Sequence, residues 1–138
     1  MNWLYDDGGR AAAGYKGKAD DCATRAIAIA AQLPYQTVYD WLTEARKVWT
    51  GLERGTARDG MHPKASREYL TVLGWTWTPT MGIGTGCKVH LMDGELPMGR
   101  VVARLSRHLT AVIDGVIHDT YDPSRNGTRC VYGFWTAP

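Results

Sequence analysis

The chain has few of the features that mark membrane, secreted or nucleic-acid-binding proteins. Its 138 residues contain no apolar run near the ~20 residues that a helix needs to cross a bilayer. The segment from Met1 to Asp7 has neither the basic region nor the apolar run of a secretory signal. The formal net charge is only +2, which is too small to indicate a nucleic-acid partner. We therefore expect neither membrane association nor nucleic-acid binding.

Cysteine is also scarce. The three cysteines, Cys22, Cys87 and Cys130, are too far apart in sequence for a disulfide framework or a CxxC metal pair. We expect a reducing, cytoplasmic setting, although pairing of Cys87 with Cys130 stays open. No two of Cys22, His90 and His108 have the spacing of zinc ligands, and His62 shows no such spacing either. The sequence thus predicts no metal and no cofactor.

Phenylalanine is nearly absent, whereas other aromatic residues are common. The chain has one Phe but six Trp and seven Tyr. Because Trp and Tyr combine an apolar ring with a hydrogen-bonding group, this composition favours a cleft or the margin of a core. The apolar fraction of 44% and charged fraction of 22% are those of a globular chain. At this length we expect one domain, residues 1–138.

Helical patterns come first and extended patterns follow. Residues 1–18 are rich in glycine and indicate an arm or loop. Three helices are predicted at about 21–33, 36–48 and 63–73, joined by a polar loop over 50–62. Gly51 is the expected stop of the second helix and Gly74 the expected C-terminal cap of the third. Alternating segments then predict strands at about 75–78, 87–91, 100–106, 108–113, 116–121 and 130–135. This order indicates an α+β fold with N-terminal helices packed on a C-terminal antiparallel sheet.

Glycines alternate with other residues over 81–86. The segment lacks the GK[ST] ending of a phosphate-binding loop, and no strand-to-helix transition follows it. We expect a flexible loop and no nucleotide site.

Cys22 lies in the first turn of the first predicted helix. Asp20 or Asp21 is a suitable N-cap residue whose carboxylate can accept from first-turn amides. Cys22 shares a small apolar face with Ala26 and Ala30, so we expect the helix to be buried with the thiol at its exposed end. The helix dipole favours the thiolate, the nucleophilic form. Cys22 is therefore the candidate nucleophile.

His108 and Asp119 are brought together by a predicted hairpin. Asp114-Gly115 between apolar β-formers is a strong signal for a two-residue turn. The resulting register pairs Ala111 with His118 and puts His108, Thr110 and Asp119 on one face. Asp122 falls on the other face, so we predict that Asp119 orients His108, although a bulge would reverse that choice.

A cysteine, a histidine and an orienting acid form the nucleophile, base and orienter of covalent catalysis. The Cys22 amide is one candidate donor to the oxyanion, and Tyr15 or Lys16 is a candidate for the second by position. The arginines near these residues are expected to favour an acidic substrate if they are not simply solvated: Arg25, Arg58, Arg67 and Arg107.

Two segments carry a resemblance to a known family. The run Asp21-Cys-Ala-Thr-Arg-Ala-Ile-Ala-Ile-Ala30 and the run from Ser106 to Asp122 resemble the papain-like cysteine peptidase superfamily, and in particular small phage and bacterial proteins. The resemblance implies a papain-like fold and a thiol hydrolase that cuts a peptide, isopeptide or other amide bond. It implies the catalytic residues Cys22, His108 and Asp119 and a protein or peptide substrate.

Two alternatives remain open at this point. The same three residues serve acyltransferases, transglutaminases and deamidases, so fold analogy does not choose among them. The chain could instead be a non-catalytic module that binds a partner protein through exposed Trp and Tyr, with Cys22 only structural. The sequence does not indicate an oligomeric state.

Overall fold

The computed structural model describes residues 1–61 and 63–138, which form an α+β fold as predicted. The helices are α1 (Cys22–Ala31), α2 (Tyr35–Thr50) and α3 (Pro63–Val72), with a 3-10 turn at Ala57–Asp59. The strands are β1 (Trp3–Tyr5), β2 (Thr76–Pro79), β3 (Arg100–Leu105), β4 (His108–Ile113), β5 (Val116–Asp119) and β6 (Gly133–Thr136). His62, for which the sequence indicates no metal-binding role, lies outside the described residues.

Local residue chemistry explains where the helices end. Gly51 follows α2 with a φ of 71°, and its amide donates to the Lys47 carbonyl at 2.9 Å. Gly74 follows α3 with a φ of 86°. Glycine adopts this left-handed conformation without the strain that a β-carbon brings. Both helix ends were predicted at these glycines.

The six strands form one mixed sheet in the order β1-β5-β4-β3-β6-β2. The C-terminal strands β2 to β6 pair antiparallel, as predicted. The sheet as a whole is mixed, however, because the N-terminal strand β1 pairs parallel with β5. The prediction of an arm or loop over residues 1–18 missed this strand. A three-residue strand is too short to show a clear period, and only its partner strand supplies the hydrogen bonds that define it.

The hairpin of β4 and β5 has the predicted register. Ile113 pairs with Val116, Val112 with Ile117 and Ala111 with His118. The turn residues Asp114 and Gly115 have φ values of 48° and 79°. Two consecutive positive φ angles match the twist of the flanking strands, so this turn fixes which side chains of β4 and β5 share a face.

The predicted strand at 87–91 is wrong. That segment makes a single isolated bridge between His90 and Cys130. A disulfide bond joins Cys87 to Cys130, with their Cα atoms 5.9 Å apart. The cytoplasmic location stays a prediction, and this bond weighs against it, because disulfides persist mainly in oxidising compartments.

Both faces of the sheet are covered. On one face α1 packs against β3, β4 and β5, and α2 packs against α1 and α3. An apolar cluster built around Ile27, Leu42 and Leu70 fills this side. On the other face the connection between β2 and β3 closes a second apolar cluster through Leu91 and Leu96. This packing brings the first turn of α1 to the beginning of β4.

In the part of the chain that the structure describes, no helix combines the length and apolar character needed to cross a membrane.

Candidate active site

A cleft of about 800 Å³ opens where α1, α3 and the sheet meet. The first turn of α1 and the turn between β3 and β4 form its floor. Aromatic side chains line it from three other places in the chain: Trp77, Tyr121, Tyr132 and Trp135. Cys22 and His108 both line this cleft, so the two distant segments predicted to meet do meet.

Cys22 is the first residue of α1 and is partly buried. Burial raises the pKa of its thiol, but the hydrogen bond with His108, the Leu109 amide and the charges of His108 and Arg25 lower it further than burial raises it. The pKa of Cys22 is therefore below its ordinary value. With Cys87 and Cys130 joined, Cys22 is also the free cysteine.

His108 is buried at the start of β4 and contacts both other residues of the predicted triad. Its Nε2 lies 2.7 Å from Asp119 Oδ2. Burial lowers the pKa of the imidazole, whereas the hydrogen bonds and charges of Asp119 and Cys22 raise it, and the outcome is about 9. Because Nε2 is hydrogen-bonded to Asp119, Nδ1 is the ring nitrogen that can interact with the Cys22 thiol. Below this pKa the imidazole is protonated and faces a thiol that readily ionises.

Asp119 is the acid that contacts His108, as the hairpin register predicts. Its Oδ2 accepts from the Thr110 hydroxyl at 2.7 Å, and its Oδ1 accepts from the Thr120 amide at 2.7 Å. Burial raises the pKa of this carboxyl, but the hydrogen bonds from His108, Thr110 and Thr120 and the charge of His108 bring it below the usual value. Asp122 instead accepts from the Ser124 amide at 3.0 Å. The carboxylate beside His108 is thus ionised and held by several donors.

Asp21 occupies the N-cap position of α1 but makes no capping bond with its side chain. Its carboxylate is buried and is bound by Arg25, by Arg10 at 3.4 Å and by the Tyr35 hydroxyl at 2.7 Å. The predicted capping bond is therefore wrong, because these side-chain donors outcompete the first-turn amides for the carboxylate. The amides at the start of α1 therefore receive no hydrogen bond from the cap side chain.

Arg25 connects the nucleophile helix to the acid. One guanidinium nitrogen binds Asp21, four residues earlier, and the other lies 3.6 Å from Asp119 Oδ1. Arg25 is thus paired with two buried carboxylates of the protein. The prediction that it contributes to binding an acidic substrate is not supported by this geometry.

The residues before Cys22 do not supply the predicted second oxyanion donor. The Tyr15 hydroxyl donates to Gln36 at 2.8 Å, and the Lys16 carbonyl accepts from Arg58 at 2.6 Å. Neither residue lines the cleft. Arg58 also bonds the Lys18 carbonyl, so it holds this segment in place and is not available to a substrate.

The described residues include no group of three or more His, Cys, Asp or Glu side chains placed to hold a metal ion. His90 lies 3.4 Å from Glu95, away from the cleft. The thiol and the imidazole line the cleft, and the Asp119 carboxylate lies behind the imidazole.

Sequence reasoning missed two contacts at this site. The Leu109 amide lowers the pKa of Cys22, and the Thr110 hydroxyl donates to Asp119. The Thr110 contact had a signal, because the hairpin register puts Thr110 directly opposite Asp119. The Leu109 contact had none, since it depends on where α1 lies over the sheet.

Comparison with protein-family models, with curated proteins and with solved structures finds no significant match to this chain.

Proposed function

We propose that this protein is a cysteine-nucleophile hydrolase that cuts a peptide or other amide bond through Cys22, His108 and Asp119, in a papain-like arrangement of helix and sheet. The observation that carries the proposal is that Cys22 and His108 line one open cleft and shift each other's pKa, while His108 Nε2 lies 2.7 Å from the buried Asp119 carboxylate. Opposite pKa shifts of a neighbouring thiol and imidazole are typical of a catalytic pair.

In the first step the Cys22 thiolate attacks the substrate carbonyl carbon, and a C–S bond forms. The Cys22 amide at the start of α1 is the donor that we assign to the resulting oxygen anion, which the positive end of the helix dipole also stabilises. His108 gives the proton on Nδ1 to the leaving nitrogen as the C–N bond breaks. The product is a thioester on Cys22 and a free amine.

In the second step His108 accepts a proton from water, whose oxygen attacks the thioester carbon. The C–S bond then breaks and releases a carboxylic acid. Asp119 holds the imidazole in one orientation and stabilises its charged form throughout. Exposed residues at the rim, among them Arg107 and Tyr121, leave the cleft open to water, which supports hydrolysis over transfer to another acceptor.

p-Nitrophenyl acetate tests the nucleophile without knowledge of the natural substrate. We expect a burst of p-nitrophenol equal to the protein concentration, with the acetyl group located on Cys22 by mass spectrometry. Cys22→Ala should abolish the burst and His108→Ala should slow both acylation and turnover. His118→Ala is the matched control, because this histidine lies on β5 beside Asp6 and outside the cleft. Equal bursts from the wild type and Cys22→Ala would refute the proposal.

A further inference from the structure

The cleft around the triad contains positive charge that the triad does not use. Arg67, Arg104 and Arg107 all line it. Among the described residues, none of these three guanidinium groups makes an ion pair or a hydrogen bond. By contrast, Arg25 and Arg58 are bound by carboxylates and carbonyls of the protein.

Few carboxylates oppose this charge. The cleft is lined by Asp20 and Asp21, and Asp21 is occupied by Arg10 and Arg25. One exposed carboxylate therefore faces three guanidinium groups. Since the whole chain carries a net charge of only +2, positive charge is concentrated in this cleft.

Arg104 has the most defined position of the three. It pairs across the sheet with Leu109 on β4, and directly opposed residues place their side chains on the same face. The side chain of Arg104 therefore rises from the sheet on the same face as Leu109 and lines the cleft that also contains Cys22.

An aromatic surface adjoins Arg104 on its other side. There Arg104 pairs with Gly133 on β6, and the Trp77 ring lies so close that a β-carbon at Gly133 would clash with it. Trp77 also packs on Trp135, with ring centroids 5.2 Å apart. The rings of Trp77 and Trp135 thus form an apolar surface next to Arg104 in the cleft, and an extended peptide can pack on this surface.

We propose that Arg67, Arg104 and Arg107 bind carboxylate side chains of the substrate, so that the substrate class is an acidic peptide with Asp or Glu beside the bond that is cut. The planar guanidinium matches a carboxylate in two parallel hydrogen bonds. Arg104, which lines the same cleft as Cys22 and lies opposite Leu109 on the neighbouring strand, binds the carboxylate nearest that bond. This inference rests on the proposed hydrolase function.

Two thiol reagents that differ in charge test the inference at Cys22. Iodoacetate carries a carboxylate and iodoacetamide is its neutral counterpart, so the ratio of their alkylation rates reports attraction of a carboxylate into the cleft. We expect Arg104→Gln to lower the ratio about twofold and the triple Arg→Gln variant to lower it about eightfold at low salt. Arg104→Lys should keep most of the wild-type ratio.

Arg54→Gln is the matched control, because this exposed arginine lies outside the cleft, and its ratio should equal that of the wild type. Thermal unfolding of each variant checks that the fold is retained. An unchanged ratio in the triple variant, or an equal fall in Arg54→Gln, would overturn the acidic-substrate inference while leaving the hydrolase proposal standing. Failure of Cys22 to react with either reagent near neutral pH would instead overturn both.

Discussion

His108→Ala is the replacement that most directly tests the coupling between the thiol and the imidazole. In the wild type, burial raises the pKa of Cys22, and the neighbouring His108 more than offsets it. Without the imidazole, only the Leu109 amide and Arg25 still lower the pKa of Cys22 against the effect of burial. The pKa of Cys22 should therefore rise.

The size of the rise follows from the contact between the two charges. Opposite unit charges ~4 Å apart attract by ~4 kcal/mol at an effective dielectric constant of ~20. Water in the open cleft screens part of this, so we take about half, ~2 kcal/mol, which is about 1.5 pKa units. At a pH below the pKa of both proteins, the thiolate fraction of Cys22 then falls about 30-fold. A thiolate of higher pKa is intrinsically more reactive, by about fivefold over 1.5 units, so the net alkylation rate at such a pH should fall about sixfold.

The assay is the rate of iodoacetamide alkylation of Cys22 from pH 5 to pH 10, followed by mass spectrometry. We expect the midpoint of the rate profile to move up by about 1.5 pH units in His108→Ala. The matched control is His118→Ala, whose ring lies 3.5 Å from Asp6 and whose profile should equal that of the wild type. A midpoint that stays in place or moves down in His108→Ala would refute the reasoning.

Four further predictions follow from the same structure. Asp119→Asn removes the anion beside His108, so the pKa of His108 should fall by about one unit or more, and an unchanged ring-proton NMR titration would contradict this. Because the pKa of His108 is raised from 6.5 to about 9, this residue contributes stability that is complete below pH 6.5 and is lost as the pH rises through 9. The difference in urea unfolding free energy between the wild type and His108→Ala should therefore shrink across that range, and a growing difference would refute the assignment. Replacing Cys87 and Cys130 with serine opens a loop with a sequence separation of 43. This should lower the unfolding free energy by up to about 4 kcal/mol without changing Cys22 alkylation, and a slowed alkylation would show that the bond also shapes the site. Gly133→Ala should lower the Tm because its β-carbon would meet the Trp77 ring, and an unchanged Tm would mean that the ring moves freely.

The three helices, most of the strands and the hairpin of β4 and β5 could be predicted because their signals are local. Helical spacing, Gly51 and Gly74 as helix ends, and Asp114-Gly115 as a turn depend on residues a few positions apart. The contact of His108 with Asp119 follows from that turn, since a two-residue loop leaves one register and alternation then decides which side chains share a face.

The parallel pairing of β1 with β5 could not be read from Trp3 to Tyr5 alone, because three residues bury too little to define a strand without its partner. The same holds for the disulfide between Cys87 and Cys130, whose pairing depends on how the connection between β2 and β3 packs under the sheet.

By itself, the sequence determined the order of helices and strands, the α+β class, and the placement of His108 and Asp119 on one face, since each depends on short-range spacing. Only the tertiary structure decided that the sulfur of Cys22 reaches His108, that Asp21 binds Arg25 and does not cap α1, and that Arg104 faces the cleft unpaired. These outcomes depend on how α1 lies across the sheet. That position is set by the summed packing of two apolar surfaces far apart in sequence.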